Sequence, residues 1–195
     1  MTVGIVLYGP PTSGKSTVTE TLHRLDPRYT LLRKLKAGNG RTDEYEQVST
    51  KRLDELREAG RLAVETHRYG NIYAVDTADL DRMANAGQVP IVHIGGVADL
   101  HRLTARGSWL RVLLWVPREV CERRSRARGD DDTAERVETW DRALDDLTGK
   151  GLFDLRISTD RRSVDSVARE IAQAHTVMSG HAPAPAVRTG RGDAP

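Results

Sequence analysis

The sequence predicts an α/β protein in which helices cover both faces of a parallel β-sheet, a three-layer α/β/α arrangement. Short apolar runs that end in glycine, proline or charged residues alternate along the chain with longer amphipathic segments. Such alternation is typical of parallel strands joined by helical crossovers. A chain of 195 residues, 38% of them hydrophobic and 30% charged, is also long enough to bury the core of one domain.

Each element follows from local signals. The first strand, residues 3–8, is a short apolar run ended by Gly9, and the first helix, residues 14–25, ends where Asp26 precedes a proline. The later strands are predicted at 89–94, 109–116 and 153–157. The later helices are predicted at 49–59, 77–86, 97–105, 117–127, 133–147 and 164–178.

One region departs from this rhythm. Residues 28–36 are predicted as a single extended segment, followed by a small β-rich insert at about 37–75. The insert opens with a loop over 37–44 and contains a hairpin that turns at residues 69–71. We expect one domain over residues 1–178 and a disordered tail over 179–195, where glycine, alanine, proline and arginine dominate.

Composition excludes several classes of protein. A lone cysteine, Cys121, excludes a disulfide framework and a cysteine-rich zinc site. No apolar run reaches the roughly 20 residues of a membrane span, and the N-terminus resembles no signal peptide. The net charge of +2 does not by itself indicate a nucleic-acid surface. We therefore expect a cytoplasmic protein with no membrane or nucleic-acid partner.

The strongest motif lies between the first strand and the first helix. The segment from Gly9 to Ser16 reads Gly-Pro-Pro-Thr-Ser-Gly-Lys-Ser and fits G-x-x-x-x-G-K-[ST] at every fixed position. Its backbone amides and the helix N-terminus would hold the phosphates of ATP, which predicts the P-loop NTPase fold. Lys15 would reach the β- and γ-phosphates, and the Ser16 hydroxyl would ligate Mg²⁺. The predicted ATP-binding residues are Gly9, Thr12, Ser13, Gly14, Lys15, Ser16 and Thr17.

The rest of the chain narrows the kind of P-loop protein. It has no guanine-reading N-K-x-D segment of a Ras-like GTPase, and the strand at 89–94 carries His93 and ends in two glycines, where an ATPase would have an acid. Two further basic clusters lie at residues 33–36 and 123–128. A P-loop with two such clusters favours a small-molecule kinase that has an acceptor clamp and a helical lid, here about 124–142. We expect His93 to be a hydrogen-bonded strand-end residue rather than a metal ligand, and Cys121 to be inert.

At these positions the chain resembles guanylate kinase and the related ribose 1,5-bisphosphate phosphokinase. The R-x-x-R motif, eight residues and Tyr of guanylate kinases correspond to Arg33-Lys34-Leu35-Lys36, eight residues and Tyr45. The G-N-x-Y motif appears at 70–73 and an R-L-x-x-R-G-like segment at 124–129. The resemblance covers roughly residues 3–175 and implies Mg·ATP as the phosphoryl donor.

The resemblance also implies site residues. Arg33, Lys36, Tyr45 and Tyr73 would grip the phosphate of a small acceptor, a nucleoside monophosphate or a sugar phosphate. Arg124 and Arg128 would close over the migrating phosphoryl group, joined by either Arg136 or Arg142. The alternatives are that these cations are solvated surface charges and that the tyrosines serve packing.

The base-reading end departs from the guanylate kinase pattern. The base-reading glutamate of the family falls at Val64, and this chain has its acid one residue later, at Glu65. A slip of one residue turns a strand side chain to the opposite face unless a bulge corrects it. Glu65, together with His67, is therefore either a reader of a different acceptor or part of a solvated strand face.

Three functions remain open from the sequence. They are guanylate kinase or a relative with a shifted acceptor, ribose 1,5-bisphosphate phosphokinase, and a non-catalytic guanylate-kinase-like binding module. Modules of the last kind typically lose the P-loop lysine, whereas Lys15 is present here.

Overall fold

The chain folds around two β-sheets. The computed structural model describes residues 3–39, 44–68, 70–127, 133–146 and 151–180. Its strands are β1 (Gly4–Tyr8), β2 (Tyr29–Leu31), β3 (Lys34–Ala37), β4 (Tyr45–Gln47), β5 (Leu62–Arg68), β6 (Asn71–Asp76), β7 (Val89–Ile94), β8 (Trp109–Trp115) and β9 (Leu155–Ser158). Its helices are α1 (Lys15–Leu25), α2 (Thr50–Glu58), α3 (Thr77–Asn85), α4 (Val97–Thr104), α5 (Arg118–Ala127), α6 (Thr133–Asp146) and α7 (Val164–Met178).

The first sheet has five strands in the order β2-β7-β1-β8-β9, and every neighbouring pair is parallel. The central strand β1 is buried along its whole length. Ile5 pairs with Ile91 of β7 on one side and with Leu110 of β8 on the other. A parallel sheet covered on both faces needs such apolar runs, so the predicted fold class is confirmed.

Alternate residues of β1 pack into two separate hydrophobic cores, one on each face of the sheet. Ile5 and Leu7 pack with side chains of α1 and α7. Val6 and Tyr8 pack with Met83 of α3, with leucines of α4 and with part of β5 and β6. This alternation places β1, and the loop that follows it, at the centre of the layers.

The second sheet has the order β4-β3-β6-β5 and carries α2 against a small core of its own. It corrects the prediction of one extended segment over 28–36, because β2 belongs to the parallel sheet and β3 to the second sheet. The sequence did not predict β4, which pairs parallel to β3. Of the predicted turn at 69–71, Tyr69 lies outside the described residues.

Helices α5 and α6 pack on each other at the end of β8. The rings of Trp115 and Trp140 contact each other at an angle, with centroids 4.8 Å apart, and the Trp140 indole N–H donates to the Val116 carbonyl at 2.9 Å. Cys121 is buried in the same cluster. Within the described residues no helix is long and apolar enough to cross a membrane. The predicted tail lies outside those residues from 181 onward.

Candidate active site

The loop between β1 and α1 has a backbone that only particular residues allow. Gly9 has a φ of +158°, and a Cβ atom there would lie 2.2 Å from the Leu114 carbonyl oxygen. Gly14 has a φ of +94° and forms the N-cap of α1 without a side-chain hydrogen bond. The amides of the first turn therefore keep the open, positively polarised end that suits phosphate.

Thr12 is the one non-glycine residue with a positive φ, +60°, among the described residues. Its conformation is held from outside the loop, because its hydroxyl donates to the Cys121 carbonyl at 3.3 Å and Arg124 Nη1 donates to its carbonyl at 3.0 Å. Such unfavourable backbone persists where the surrounding structure determines it, and it is typical of ligand-binding loops.

The Lys15 ammonium lies across this loop. It donates to the Gly9 carbonyl at 2.8 Å and to the Pro10 carbonyl at 2.9 Å. Burial lowers the pKa of Lys15 to about 8, Glu44 opposes that shift, and Lys34 and Arg68 add to it. The ammonium therefore stands at the loop in a strongly cationic environment.

Arg124 ties α5 to both sides of the loop. In addition to the Thr12 contact, its Nη2 donates to the Thr159 carbonyl at 3.1 Å, and the Thr159 hydroxyl donates to the Ser13 carbonyl at 2.9 Å. A cavity of about 140 Å³ opens here beside the first turn of α1. Its lining includes Thr12, Gly14, Thr17, Arg124, Thr159 and Val164. Arg128, the predicted partner of Arg124, lies outside the described residues.

Ser16 contacts an acid that sequence reasoning missed. Its hydroxyl donates to Glu44 Oε1 at 2.5 Å, and Glu44 directly precedes β4. A hydroxyl and a carboxylate are hard oxygen donors of the kind Mg²⁺ prefers, so they fit the ion that the resemblance implies. The described residues contain no group of three or more His, Cys, Asp or Glu that would hold a metal alone. An ion at Ser16 would therefore need phosphate oxygens as well.

The four predicted acceptor-phosphate residues come together on the second sheet. Lys36 is 2% exposed, and its ammonium lies 5.6 Å from the Tyr45 ring centroid and 5.7 Å from that of Tyr73. The two rings are 5.0 Å apart. Arg33 Nη2 donates to the Tyr45 carbonyl at 2.6 Å. Burial, followed by the neighbouring Tyr73 and Glu44, raises the pKa of Tyr45 to about 12, so its hydroxyl stays a donor at neutral pH.

Two more cations, Lys34 and Arg68, belong to this region and were not predicted. Lys34 lies two residues before Lys36 on β3, on the same face of that strand. Burial lowers its pKa to about 8, with Asp99 opposing and Arg68 adding to the shift. Arg68 Nη2 donates to the Gly95 carbonyl at 3.4 Å, at the end of β7. One feature of the sequence could have drawn attention to Lys34: lysine is rare in this chain, which has only five.

Glu65, which was predicted to bind the acceptor, lies apart from this group in the structure. Its carboxylate accepts from Arg57 Nε at 2.9 Å and Nη2 at 2.8 Å, and it contacts His67 Nε2 at 2.8 Å. The residues on either side face the other way: Val64 is 2% exposed in the core, and the Thr66 hydroxyl donates to Asp99 at 2.5 Å. The pairing of β5 with β6 has an irregularity between Leu62 and Val64, but it does not turn Glu65 to the cation side.

His93, Arg136 and Arg142 are the other residues that the sequence singled out. His93 Nε2 lies 2.8 Å from the Thr19 hydroxyl, and burial with the charges of Lys15 and Lys34 lowers its pKa to about 3, so the ring is neutral. The charge of Arg136 acts on Tyr45, whereas Arg142 pairs with Glu138 at 2.5 Å on the exposed face of α6.

Comparison with known proteins gives likenesses in sequence and in structure. No protein-family model matches the chain. A curated guanylate kinase from Parasynechococcus marenigrum (strain WH8102) is 26% identical over 163 residues, 80% of this chain and 88% of that protein. The crystal structure of guanylate kinase from Anaplasma phagocytophilum superposes with a TM-score of 0.65 at 16% identity, covering 90% of this chain and 85% of that one.

A shikimate kinase from Acinetobacter baumannii aligns with a TM-score of 0.48 at 17% identity, over 92% of this chain and 95% of that one. The guanylate kinase structure shares the fold over most of both chains. The sequence likeness points the same way. The resemblance to guanylate kinases that the motifs indicate is therefore confirmed, as a likeness in sequence and a shared fold.

Proposed function

We propose that the chain is an ATP-dependent phosphotransferase of the nucleotide-kinase type, which moves the γ-phosphoryl group of Mg·ATP to a phosphate oxygen of a small acceptor. The observation that carries the proposal is the meeting of two cationic sites. The charges of Lys34 and Arg68, both from the second sheet, act on Lys15 of the loop. Like charges gathered in a partly buried space are unfavourable unless polyanions occupy it.

In this proposal the loop holds the ATP phosphates. The amides of residues 9–17 wrap the β-phosphate, and Lys15 leaves the Gly9 and Pro10 carbonyls to bind phosphate oxygens. Arg124 already contacts the loop and borders the cavity beside α1, where the α-phosphate and nucleoside would lie. Bound Mg²⁺ would neutralise charge on the phosphates, with Ser16 as a ligand.

The acceptor phosphate binds between Lys36, Arg33 and the two tyrosine hydroxyls of Tyr45 and Tyr73. A phosphate oxygen is already ionised near neutral pH, so the chain needs no catalytic base. His93 fits that scheme. Its pKa of about 3 keeps the ring neutral, and it hydrogen-bonds to Thr19 rather than acting as a catalytic base. Catalysis would come from alignment of the two phosphates and from the charges of Lys15, Lys34 and the arginines.

The guanylate kinase likeness makes GMP the first acceptor to test. A phosphorylated sugar such as ribose 1,5-bisphosphate is the second candidate, and one observation favours it. The strand face that would read a base carries buried Val64 and cationic Arg68, and Glu65 is turned away and paired with Arg57. That face suits a second anionic group better than a guanine edge.

The test is ADP release by the full chain with Mg·ATP, across GMP, dGMP, AMP, CMP, UMP and ribose 1,5-bisphosphate. Lys15→Ala is the inactive control, and Lys51→Ala, an exposed lysine of α2, is the matched active control. Turnover with GMP supports the first acceptor, and turnover with the sugar bisphosphate alone supports the second. ATP binding without turnover on any acceptor would favour a non-catalytic binding module and overturn the proposal.

A further inference from the structure

The contact between Ser16 and Glu44 joins the loop to the second sheet. Ser16 is the second residue of α1, beside the lysine of the loop, and Glu44 directly precedes Tyr45 of β4. We infer that Glu44 and Ser16 together hold the divalent cation that accompanies the nucleotide, so the acceptor sheet supplies the acid of the metal site. This inference rests on the proposed function and adds a metal ligand to it.

The geometry suits two neighbouring ligands of one ion. Ligands at about 2.1 Å in octahedral Mg²⁺ lie roughly 3 Å apart when they are adjacent. The Ser16 hydroxyl oxygen and Glu44 Oε1 are 2.5 Å apart, bridged by the serine proton. An ion could replace that bridge if the two oxygens moved apart by about half an ångström, which a change of rotamer at either residue would allow.

Other polar groups near the loop are engaged or chemically unsuited. His93 at the end of β7 is an imidazole, a ligand type that suits Mg²⁺ less well than carboxylate, and it is held by Thr19. Asp99 accepts from Thr66 at 2.5 Å and from Arg102 Nη1 at 3.0 Å. Among the described residues, Glu44 is the carboxylate in direct contact with the loop serine.

A cation held by Ser16 and Glu44 would also affect the acceptor site. Glu44 is followed at once by Tyr45, whose ring belongs to the Lys36 and Tyr73 cluster. An ion held by Ser16 and Glu44 would therefore fix β4 against the loop and bring the acceptor residues towards the nucleotide. The cation would thereby link binding of the two substrates.

The experiment compares ATP affinity, measured by calorimetry on the full chain, in excess EDTA and in excess Mg²⁺. The variants are Glu44→Gln and, as the matched control, Glu46→Gln, an exposed glutamate two residues further along the same segment. We expect Mg²⁺ to tighten ATP binding equally in the wild type and in Glu46→Gln. In Glu44→Gln that gain should fall about 10–100-fold, as loss of a metal-supporting group typically does.

Affinity for metal-free ATP separates this role from a purely structural one. Glu44→Gln should bind ATP in EDTA as tightly as the wild type, or more tightly, because a negative charge near the phosphates is gone. Mn²⁺ electron paramagnetic resonance of the protein with a non-hydrolysable ATP analogue should show a weaker and altered Mn²⁺ site in Glu44→Gln alone.

Three outcomes overturn the inference. If Glu44→Gln keeps the wild-type Mg²⁺ gain, Glu44 is not a ligand and the proposed function still stands. If it loses ATP binding equally in EDTA and in Mg²⁺, the carboxylate only shapes the loop. If the wild type binds no ATP under either condition, the inference fails together with the proposed function.

Discussion

The two halves of the candidate site are built in different ways. At the end of the parallel sheet, one continuous segment forms the candidate phosphate loop, whose backbone takes positive φ values at Gly9, Thr12 and Gly14. On the second sheet, side chains from four strands converge, and each contributes one or two residues. A backbone site depends on a short local pattern, whereas a side-chain site depends on which face each strand presents.

The largest effect should follow from Lys15→Ala in the loop half. Removal of one preorganised charge at the transferring phosphate typically costs about 10²–10³-fold in kcat. We expect a loss of at least that size, with a weaker affinity for ATP, measured by ADP release and by calorimetry.

Lys51→Ala should leave both quantities within about twofold of the wild type, since that side chain is exposed on α2. If Lys15→Ala keeps full turnover, the active site does not lie at this loop, and the loop is not one half of the site.

The contrast explains how much the sequence could predict. The parallel sheet, its helices and the loop follow from contiguous apolar runs and one contiguous motif. Lys36, Tyr45 and Tyr73 were predicted as acceptor residues through the order and spacing of the motifs in the resemblance. Glu44 and Arg68 were missed, because no local pattern shows that a residue before an unpredicted strand contacts Ser16, or that the last residue of β5 contacts Gly95 at the end of β7.

The next effect tests the acceptor half with Lys36→Met. Methionine keeps the length and apolar stem of the side chain between the two tyrosine rings, but it removes the charge. Loss of a charge-assisted hydrogen bond to phosphate, about 1.5–3 kcal/mol, should raise the acceptor KM roughly 10–100-fold. Initial rates at varied acceptor and at varied ATP measure this.

The affinity for ATP should stay within about twofold in Lys36→Met, because Lys36 lies on the second sheet with Tyr45 and Tyr73. An equal loss for ATP and acceptor would show that the two halves are not separate sites.

The pH dependence of ATP affinity should test the role of Lys15 in the loop. The pKa of Lys15 is lowered to about 8, so the ammonium is charged below that pH and progressively neutral above it. Phosphate binds the charged form, and ATP affinity should therefore fall up to about 10-fold per pH unit above roughly pH 8. Calorimetry in buffers of different ionisation enthalpy should also detect proton uptake on binding in that range.

Lys15→Arg keeps a charge at every accessible pH and should remove this dependence from ATP binding, whatever its effect on turnover. A wild-type affinity that is flat between about pH 7 and 9.5 would mean that the buried ammonium does not meet the phosphates.

The smallest effect should come from Glu65→Gln, and it tests the assignment of strand faces in the acceptor half. Glu65 is paired with Arg57 and His67, away from Lys34 and Arg68, so the acceptor KM should change less than about twofold. The exposed ion pair is worth little, and only a small fall in melting temperature is expected. Thr66→Val is the matched variant on the other face, where the Asp99 contact is lost, and it should raise the acceptor KM measurably more. A rise of about tenfold with Glu65→Gln and none with Thr66→Val would reverse the assignment, since only a strand turned the other way could place Glu65 against the acceptor.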